Sequence, residues 1–379
     1  MRATIAVVGT GGLARAVCYS LAAVITAASG LRRVVVIGRR AERVGQLCFV
    51  AGARVACGGG AVRFEPATGE VEAVLAGVPD LAGVIVCASS QSPWERLSSP
   101  SAWTDLMQRA GFGLTLPFQA ELAARAGRAL AGRSPRPWLV NACFPDAVNP
   151  LLAALGVPVL CGIGNIALLA ASAQAELGLP DQSRLRMLAH HLHLHAPAAG
   201  EPEALAWLDG EPVDAAPLLA AQRAAERTEL NHVTGHAAAL LLTSLLDGEA
   251  AVPTHMPTHV PTHLPGPLGL PGGYPVTVRG TELHLRLPPG VSLAEAVEFN
   301  QRAALADGAA VEAGHVRFGP AAAEELGRLA PALADGFPPT ELPSATAELQ
   351  ALRARLRARP PARLPDPHSR PTAEQETPV

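Results

Sequence analysis

No lysine occurs in the 379 residues, so all 30 basic side chains are arginine. This absence excludes a Schiff base on the protein and a lysine general base. Aromatic residues are only 4% of a chain that is 49% apolar, so the core must be built mainly from Ala, Leu and Val. No C-x-x-C pair occurs among the six cysteines (Cys18, Cys48, Cys57, Cys87, Cys143 and Cys161), and most lie in apolar runs. Such cysteines behave as small buried hydrophobes, and a reducing cytoplasm is the compartment this usage implies. The net charge is −3, without a dominant basic face, which argues against nucleic acid and against an acidic membrane surface. The first apolar run is already a strand pattern, so no leader-like segment is read there. Residues 147–174 carry no charge, but Asn149, Pro150, Gly156, Pro158, Gly162, Gly164 and Asn165 break them into strand, turn and helix. A single membrane-spanning helix does not survive those breaks.

What is present is clearest at the start of the chain. A β-branched run at residues 5–8 leads into Gly9, Gly11, Gly12 and Ala14, followed by an apolar helical pattern. This is a G-x-G-x-x-A turn between strand and helix, in which small residues allow close approach of a pyrophosphate and the helix start offers free N–H groups. A second buried strand at 34–37 ends in Gly38, Arg39 and Arg40, where an acidic residue would favour NAD. Arginines there suit a 2′-phosphate, so NADP is favoured, with NAD as the alternative.

Further strands are expected at 63–65, 81–88, 138–141 and 157–161, alternating with helices. The pattern predicts an α/β fold, with an N-terminal Rossmann-type doubly wound parallel sheet over residues 1–165. Ligands of such sheets lie beyond the carboxyl ends of the strands. Ala88, Ser89 and the polar loop 89–96, with Arg96, are therefore expected beside cofactor and substrate, as is Asn141. An α+β substrate domain is expected over 166–335, with a hairpin at 205–213, helix through 215–247, strands at 272–278, 283–287 and 315–318, and a helix at 293–305. Three Pro-Thr-His copies within 252–264 place His255, His259 and His263 in a low-complexity loop, because proline at that frequency disfavours helix and central strand. Residues 336–379 read as a tail with a disordered end.

By Asn165 the order of features resembles the lactate and malate dehydrogenase superfamily, whose NAD-dependent family 4 glycosidases share the fold. The resemblance rests on Gly9-Thr-Gly-Gly-Leu-Ala14, on residues 84–88 with their loop, on Val140-Asn141, on Cys161-Gly-Ile-Gly-Asn165 and on the histidines at 190–195. It implies that a second-domain histidine exchanges a proton with the substrate while hydride moves to or from a nicotinamide. It also implies an aspartate partner for that histidine and arginines that hold a 2-oxo acid. The candidates are His191, His193 and His195, expected on one face of a strand with His190 on the other, and with His193 and His195 ahead. The aspartate and arginine that should follow Asn165 are missing from the run NIALLAASAQ. Arg96, Arg184 or Arg186 would have to meet an anion, with Asn165 as a substrate residue. The glycosidase branch would use Cys161 and His190 as metal ligands, a weaker match.

These residues imply an NADP(H)-dependent oxidoreductase acting on a carbonyl or imine of a small-molecule or peptide-derived substrate. That substrate would not be a simple 2-hydroxy acid but one of the kind met in specialised metabolism. The alternatives are a non-catalytic nucleotide-binding or scaffold subunit and, third, a metal- and NAD-assisted glycosidase-like lyase. A homodimer or higher homo-oligomer is the expected assembly.

Overall fold

A computed structural model describes residues 3–25, 30–93, 95–198, 200–247 and 260–361. The first half runs β1 (Ala3–Val8), α1 (Gly12–Val24), β2 (Leu31–Ile37), α2 (Ala41–Cys57), β3 (Arg63–Ala67), α3 (Val71–Ala76), β4 (Leu81–Val86), α4 (Glu95–Ser98) and α5 (Ala102–Ala110). A 3₁₀ turn at Phe112–Thr115 leads into α6 (Leu116–Leu130), β5 (Trp138–Asn141), α7 (Pro145–Ala154) and β6 (Cys161–Gly162). The six strands form one parallel sheet in the order β3-β2-β1-β4-β5-β6. β1, β4 and the second half of β2 (Val34–Ile37) are short apolar runs buried on both faces, as a parallel sheet covered by helices requires. The sixth strand is shorter than expected: Pro158 cannot donate to the ladder, and pairing starts only at Cys161.

The second half runs α8 (Asn165–Glu176), β7 (Leu185–Leu188), a 3₁₀ turn (His191–Leu194), β8 (Leu205–Leu208), β9 (Glu211–Val213), α9 (Ala215–Ala224) and α10 (Arg227–Asp247). Then follow β10 (Val260–Pro265), β11 (Gly273–Arg279), β12 (Glu282–Leu285), α11 (Leu293–Ala306), β13 (Ala309–Glu312), β14 (His315–Phe318), α12 (Pro320–Leu329) and α13 (Leu342–Arg357). The strands pair as β7-β8-β9, β10-β11-β12 and β13-β14. Both faces of the large sheet are finished by these later elements. Val316, Phe318 and Leu326 join Leu106, Phe118 and Leu139 on one side, and Leu241, Leu242 and Tyr274 join Val17 and Leu47 on the other. No helix among the described residues is long and apolar enough to cross a membrane.

Two expectations change here. The stretch read as a tail contains α13, whose Leu342, Ala345, Leu349, Leu352 and Leu356 recur at helical spacing and are all buried. Each fully buried leucine stabilises by about 1.5–3 kcal/mol, enough to hold a polar-looking helix against α5 and α6. Residues 362–379 lie outside the described residues. Part of the Pro-Thr-His segment is likewise ordered, since Val260–Pro265 is an edge strand, the position where a residue without an N–H is tolerated. His263 within it is fully buried, donating from Nδ1 to Gln182 Oε1 (2.7 Å) and accepting at Nε2 from the Met187 N–H (3.0 Å). His255 and His259 lie outside the described residues.

Candidate active site

The carboxyl ends of β1 and β4 meet at the glycine turn. Gly9 has φ +128°, and a Cβ there would stand 2.9 Å from the Cys87 carbonyl oxygen and 3.1 Å from the Ala88 side chain. Only glycine fits, for both reasons. Gly11 is different: nothing lies within 4 Å of where its Cβ would be, so the space over the turn is open. α1 starts at this point with Gly11 as its N-cap, no side-chain cap and no acidic residue in its first turn, leaving its N–H groups to an outside acceptor. An open cleft of about 540 Å³ adjoins the turn, lined by Thr10, Gly11, Gly12, Arg15, Arg40, Glu42, Arg43 and Gln46, so one carboxylate stands among three guanidinium groups. Arg40 lines this cleft. Arg39 is exposed and outside that lining, and Arg15 and Arg43 stand in the cleft without having been read from the sequence. Uncapped amides, room over Gly11 and three guanidinium groups suit an acceptor-rich phosphate ligand such as a dinucleotide.

The histidine segment is a 3₁₀ turn, not a strand, so its four rings do not alternate between two faces. His193, one of the two favoured catalysts, is fully buried, with Nδ1 accepting from the His190 N–H (2.8 Å) and Nε2 donating to the Pro202 carbonyl (3.2 Å). Its ring stacks on Phe299. With both nitrogens committed to backbone it is a cap of the turn and has no nitrogen left for proton transfer. His190 is also fully buried; its Nδ1 accepts from the Leu192 N–H, and burial pushes its pKa down to about 3, so it is neutral. His195 is exposed and lies against the Arg227 guanidinium, with Nη2 to Nδ1 at 3.0 Å. Partial desolvation, followed by that cation, lowers its pKa.

His191 is the member that meets a carboxylate. Its Nδ1 lies 2.7 Å from Asp307 Oδ2, and 20% of its side chain remains accessible. The ring stacks on Phe112 (centroids 4.9 Å apart) and meets Phe144 edge-on at 5.2 Å. Burial alone would lower its pKa, but the Asp307 carboxylate and, behind it, Asp146 outweigh burial, and the net shift is upward. Asp307 caps the C-terminus of α11, a helix started by a capping box of Ser292 and Glu295. The negative end of the helix dipole adds to the potential favouring an imidazolium nearby. The Asp307 carbonyl also accepts from the Gly113 N–H at 2.6 Å, and a Cβ on Gly113 would lie 2.2 Å from the Ala309 nitrogen. Glycine there lets the α11–β13 turn press on the 3₁₀ turn that carries Phe112, bringing the carboxylate to the ring.

Around this pair stand polar residues with mixed roles. Asp146, in the first turn of α7, is fully buried; desolvation raises its pKa to about 6 despite opposing contributions from His191 and from Asn165, whose Nδ2 donates to Oδ2. Its Oδ1 has no hydrogen-bond partner among the described residues. Asn165 therefore serves Asp146. Asn141 is fully buried and satisfied within the protein, donating to Cys143 O (3.1 Å) and Asn149 Oδ1 (3.0 Å) and accepting from the Cys143 N–H, so its amide supports the loop after β5 and is not free for a ligand. Arg184 is paired with Asp209, and Arg96 is exposed on α4. The Cys161 thiol is fully buried, which pushes its pKa far up and disfavours the thiolate a metal needs. Among the described residues no three His, Cys, Asp or Glu side chains are grouped as metal ligands, and neither Cys161 nor His190 is in such a set. The carboxylate beside His191, Asp307, and the cation beside His195, Arg227, both come from parts of the chain well beyond Asn165. The only local mark of Asp307 is an Asp-Gly pair that reads as a helix stop.

The loop after β4, expected beside cofactor and substrate, is fastened by α13. Arg357 makes a two-pronged pair with Glu95 (2.6 and 2.5 Å), and Arg353 donates to Ser90 O (2.8 Å) and Gln91 Oε1 (3.2 Å) while lying 4.0 Å over the Phe118 ring. Gln91, fully buried, also accepts from Trp103 Nε1 and donates to Glu95. Burial alone would raise the Glu95 pKa, but Arg357 and Gln91 bring it below the usual value. Arg357→Ala leaves that buried carboxylate without its cation, and we expect it to destabilise the protein by about 1–3 kcal/mol. Thermal unfolding and limited proteolysis at residues 89–98 measure the effect, and unchanged Tm with an unchanged cleavage rate would show that the clamp is dispensable.

No family model matches the sequence, and no curated protein matches it. Solved structures do. A lactate dehydrogenase from a Medee basin deep-sea metagenome library aligns at 14% identity over 81% of this chain and 99% of its own, with a TM-score of 0.52. Malate dehydrogenase from Salinibacter ruber aligns at 13% identity over 93% of this chain and 99% of its own (TM-score 0.52). Malate dehydrogenase from Archaeoglobus fulgidus, solved in complex with NADH, aligns at 13% identity over 79% and 96% (TM-score 0.52). The fold of this chain is that of the lactate and malate dehydrogenases, as the glycine turn and the later motifs implied.

Proposed function

We propose that this protein is an NADP(H)-dependent oxidoreductase acting on a carbonyl or imine, with His191 as its acid–base residue. The observation that carries this reading is the His191–Asp307 pair at 2.7 Å. The pair holds Nδ1 on a carboxylate while 20% of the side chain stays accessible, the arrangement that suits an acid–base histidine. Because Nδ1 carries the proton shared with Asp307, Nε2 is the nitrogen that gives a proton to a reduced oxygen or nitrogen, or takes one in the reverse direction. Asp307 orients the ring and stabilises the imidazolium. Arg227, half-buried on α10 beside His195, is the cation nearest this ring pair, so an anionic group of the substrate would be met from α10 and not from the helix after Gly162. That displacement supports a substrate other than a simple 2-hydroxy acid. The nicotinamide, when bound, would supply or accept the hydride.

The preference for NADP rests on Arg40, with Arg15 and Arg43, which outnumber Glu42 in the cleft beside the turn. No acidic side chain of the described residues is paired with Arg40 or Arg43. Calorimetric titration is expected to show NADPH binding more tightly than NADH. Arg40→Ala with Arg43→Ala should remove about a hundredfold of NADPH affinity and leave NADH nearly unchanged, since each guanidinium–phosphate contact is worth roughly tenfold. Equal affinities in the wild type would overturn the NADP preference, and no binding of either cofactor would overturn the oxidoreductase reading.

A further inference from the structure

One helix spans the distance between the two halves of the proposed site. On α10 the residues Arg227, Asn231 and Gly235 follow one another at intervals of four, which places them on one stripe of the helix. Arg227, at the first position, lies against His195 and electrostatically affects His191. Gly235, at the third, sits where α10 meets α1 almost backbone to backbone: a Cβ there would be 2.5 Å from the carbonyl carbon and the Cβ of Ala16. Asn231, between them, points its amide at the glycine turn, with Nδ2 3.2 Å from where a Cβ on Gly12 would be. Gly12 is the first residue of α1. Asn231 is half-buried, and its amide has no hydrogen-bond partner among the described residues.

An amide able to donate and the uncapped N–H groups of α1 are thus gathered at one turn, beside Arg15, whose guanidinium is braced by Thr10 O (3.3 Å) and Gln46 Oε1 (3.5 Å). Groups of this kind in one place are complementary to a ligand made only of acceptors, and a phosphate diester is such a ligand. We infer that Asn231 donates a hydrogen bond to the pyrophosphate of the dinucleotide, an inference that rests on the nucleotide-binding reading above. The cofactor and the proton-transfer site are then held by the same helix, with Asn231 at the phosphates and Arg227 one turn earlier at the histidines. The packing of Gly235 on Ala16 sets the distance between α10 and the turn. A neutral amide suits this place because it faces the helix start without adding a charge to a packed interface.

The test uses the full chain, with NADPH, NADH and adenosine 2′-monophosphate as probes. The last carries the adenosine and 2′-phosphate but no pyrophosphate. Asn231→Ala is expected to weaken NADPH and NADH by about tenfold each, the usual effect of losing one hydrogen bond to a charged group. Asn231→Asp, of the same shape, should weaken both by about a hundredfold or more because it sets a carboxylate against the phosphates. Neither change should alter the affinity for adenosine 2′-monophosphate, whereas Arg40→Ala should weaken that probe and NADPH but spare NADH. Wild-type affinity of both Asn231 variants for NADPH overturns the assignment, and so does an equal loss for adenosine 2′-monophosphate, which would mean a general disturbance of the turn. Failure of the wild type to bind either dinucleotide removes the nucleotide reading itself and is distinguishable from both.

Discussion

Replacing His191 by alanine is expected to lower turnover by about a thousandfold while NADPH binds as it does to the wild type. The size follows from the usual contribution of one positioned acid–base group. Asp307→Asn should cost about a hundredfold, because an amide can still contact Nδ1 but no longer stabilises an imidazolium. The pH profile gives an independent check. The pKa of His191 is raised, so the protonated form that reduction requires is kept above the ordinary histidine range, and the reductive rate should fall as the pH rises through that raised value. Oxidation, which needs the neutral ring, should gain over the same interval. Asp307→Asn should shift both limbs to lower pH. His193→Ala, by contrast, removes a ring whose two nitrogens serve the backbone, and its effect should fall on stability. If His191→Ala turns over like the wild type, or if His193→Ala loses turnover with an unchanged Tm, the assignment within the histidine cluster is wrong.

The second large effect is acid lability. His190 and His263 are fully buried, and burial pushes the pKa of each from 6.5 to about 3. A histidine with a depressed folded-state pKa contributes stability that is present above its unfolded value and lost as the pH falls below it. The window therefore opens at pH 6.5 and runs down to about 3. Below 6.5 each ring costs about 1.4 kcal/mol per pH unit, so the two together remove about 4 kcal/mol by pH 5. Asp146 acts in the opposite sense: its pKa is raised from 3.8 to about 6, so the folded state takes up that proton first, and about 1 kcal/mol is returned over the same interval. Proton uptake by His191 adds to the return. The net loss, about 2–3 kcal/mol, is a large part of the stability of an ordinary domain. Denaturant midpoints measured from pH 7 to pH 5 should fall accordingly. His263→Gln should lower stability at neutral pH, since the Met187 N–H and Gln182 lose their fitted partner, and should also flatten the acid dependence. A flat profile in the wild type would mean that neither ring is held neutral.

The two expectations differ in how far the chain's own letters could carry them. The middle of the sheet was legible because β1, β2 and β4, buried on both faces over most of their length, carry runs of Val and Ile, and the glycine turn because close approach there needs small residues at fixed spacing. Arg40 followed from its place at the end of the second strand. The register of the histidine cluster was not legible. Alternation is a property of strands, and residues 190–195 form a tight turn in which His193 caps the backbone and His191 faces outward. α13 was hidden by its polar composition, although its leucines keep a helical period that only the face of the large sheet makes meaningful. Val260–Pro265 reads as a loop by its prolines, and it is a strand because it lies at a sheet edge, where the missing N–H groups cost little.

The sequence by itself thus determined the doubly wound sheet, the glycine turn and the set of histidines from which an acid–base residue could be drawn. Only the tertiary structure singles out His191 among them, because Asp307, the carboxylate it meets, lies 116 residues further along the chain. Local patterns record what a residue does for its own strand or helix. A carboxylate at the end of one helix leaves no local sign of the ring it meets across the fold.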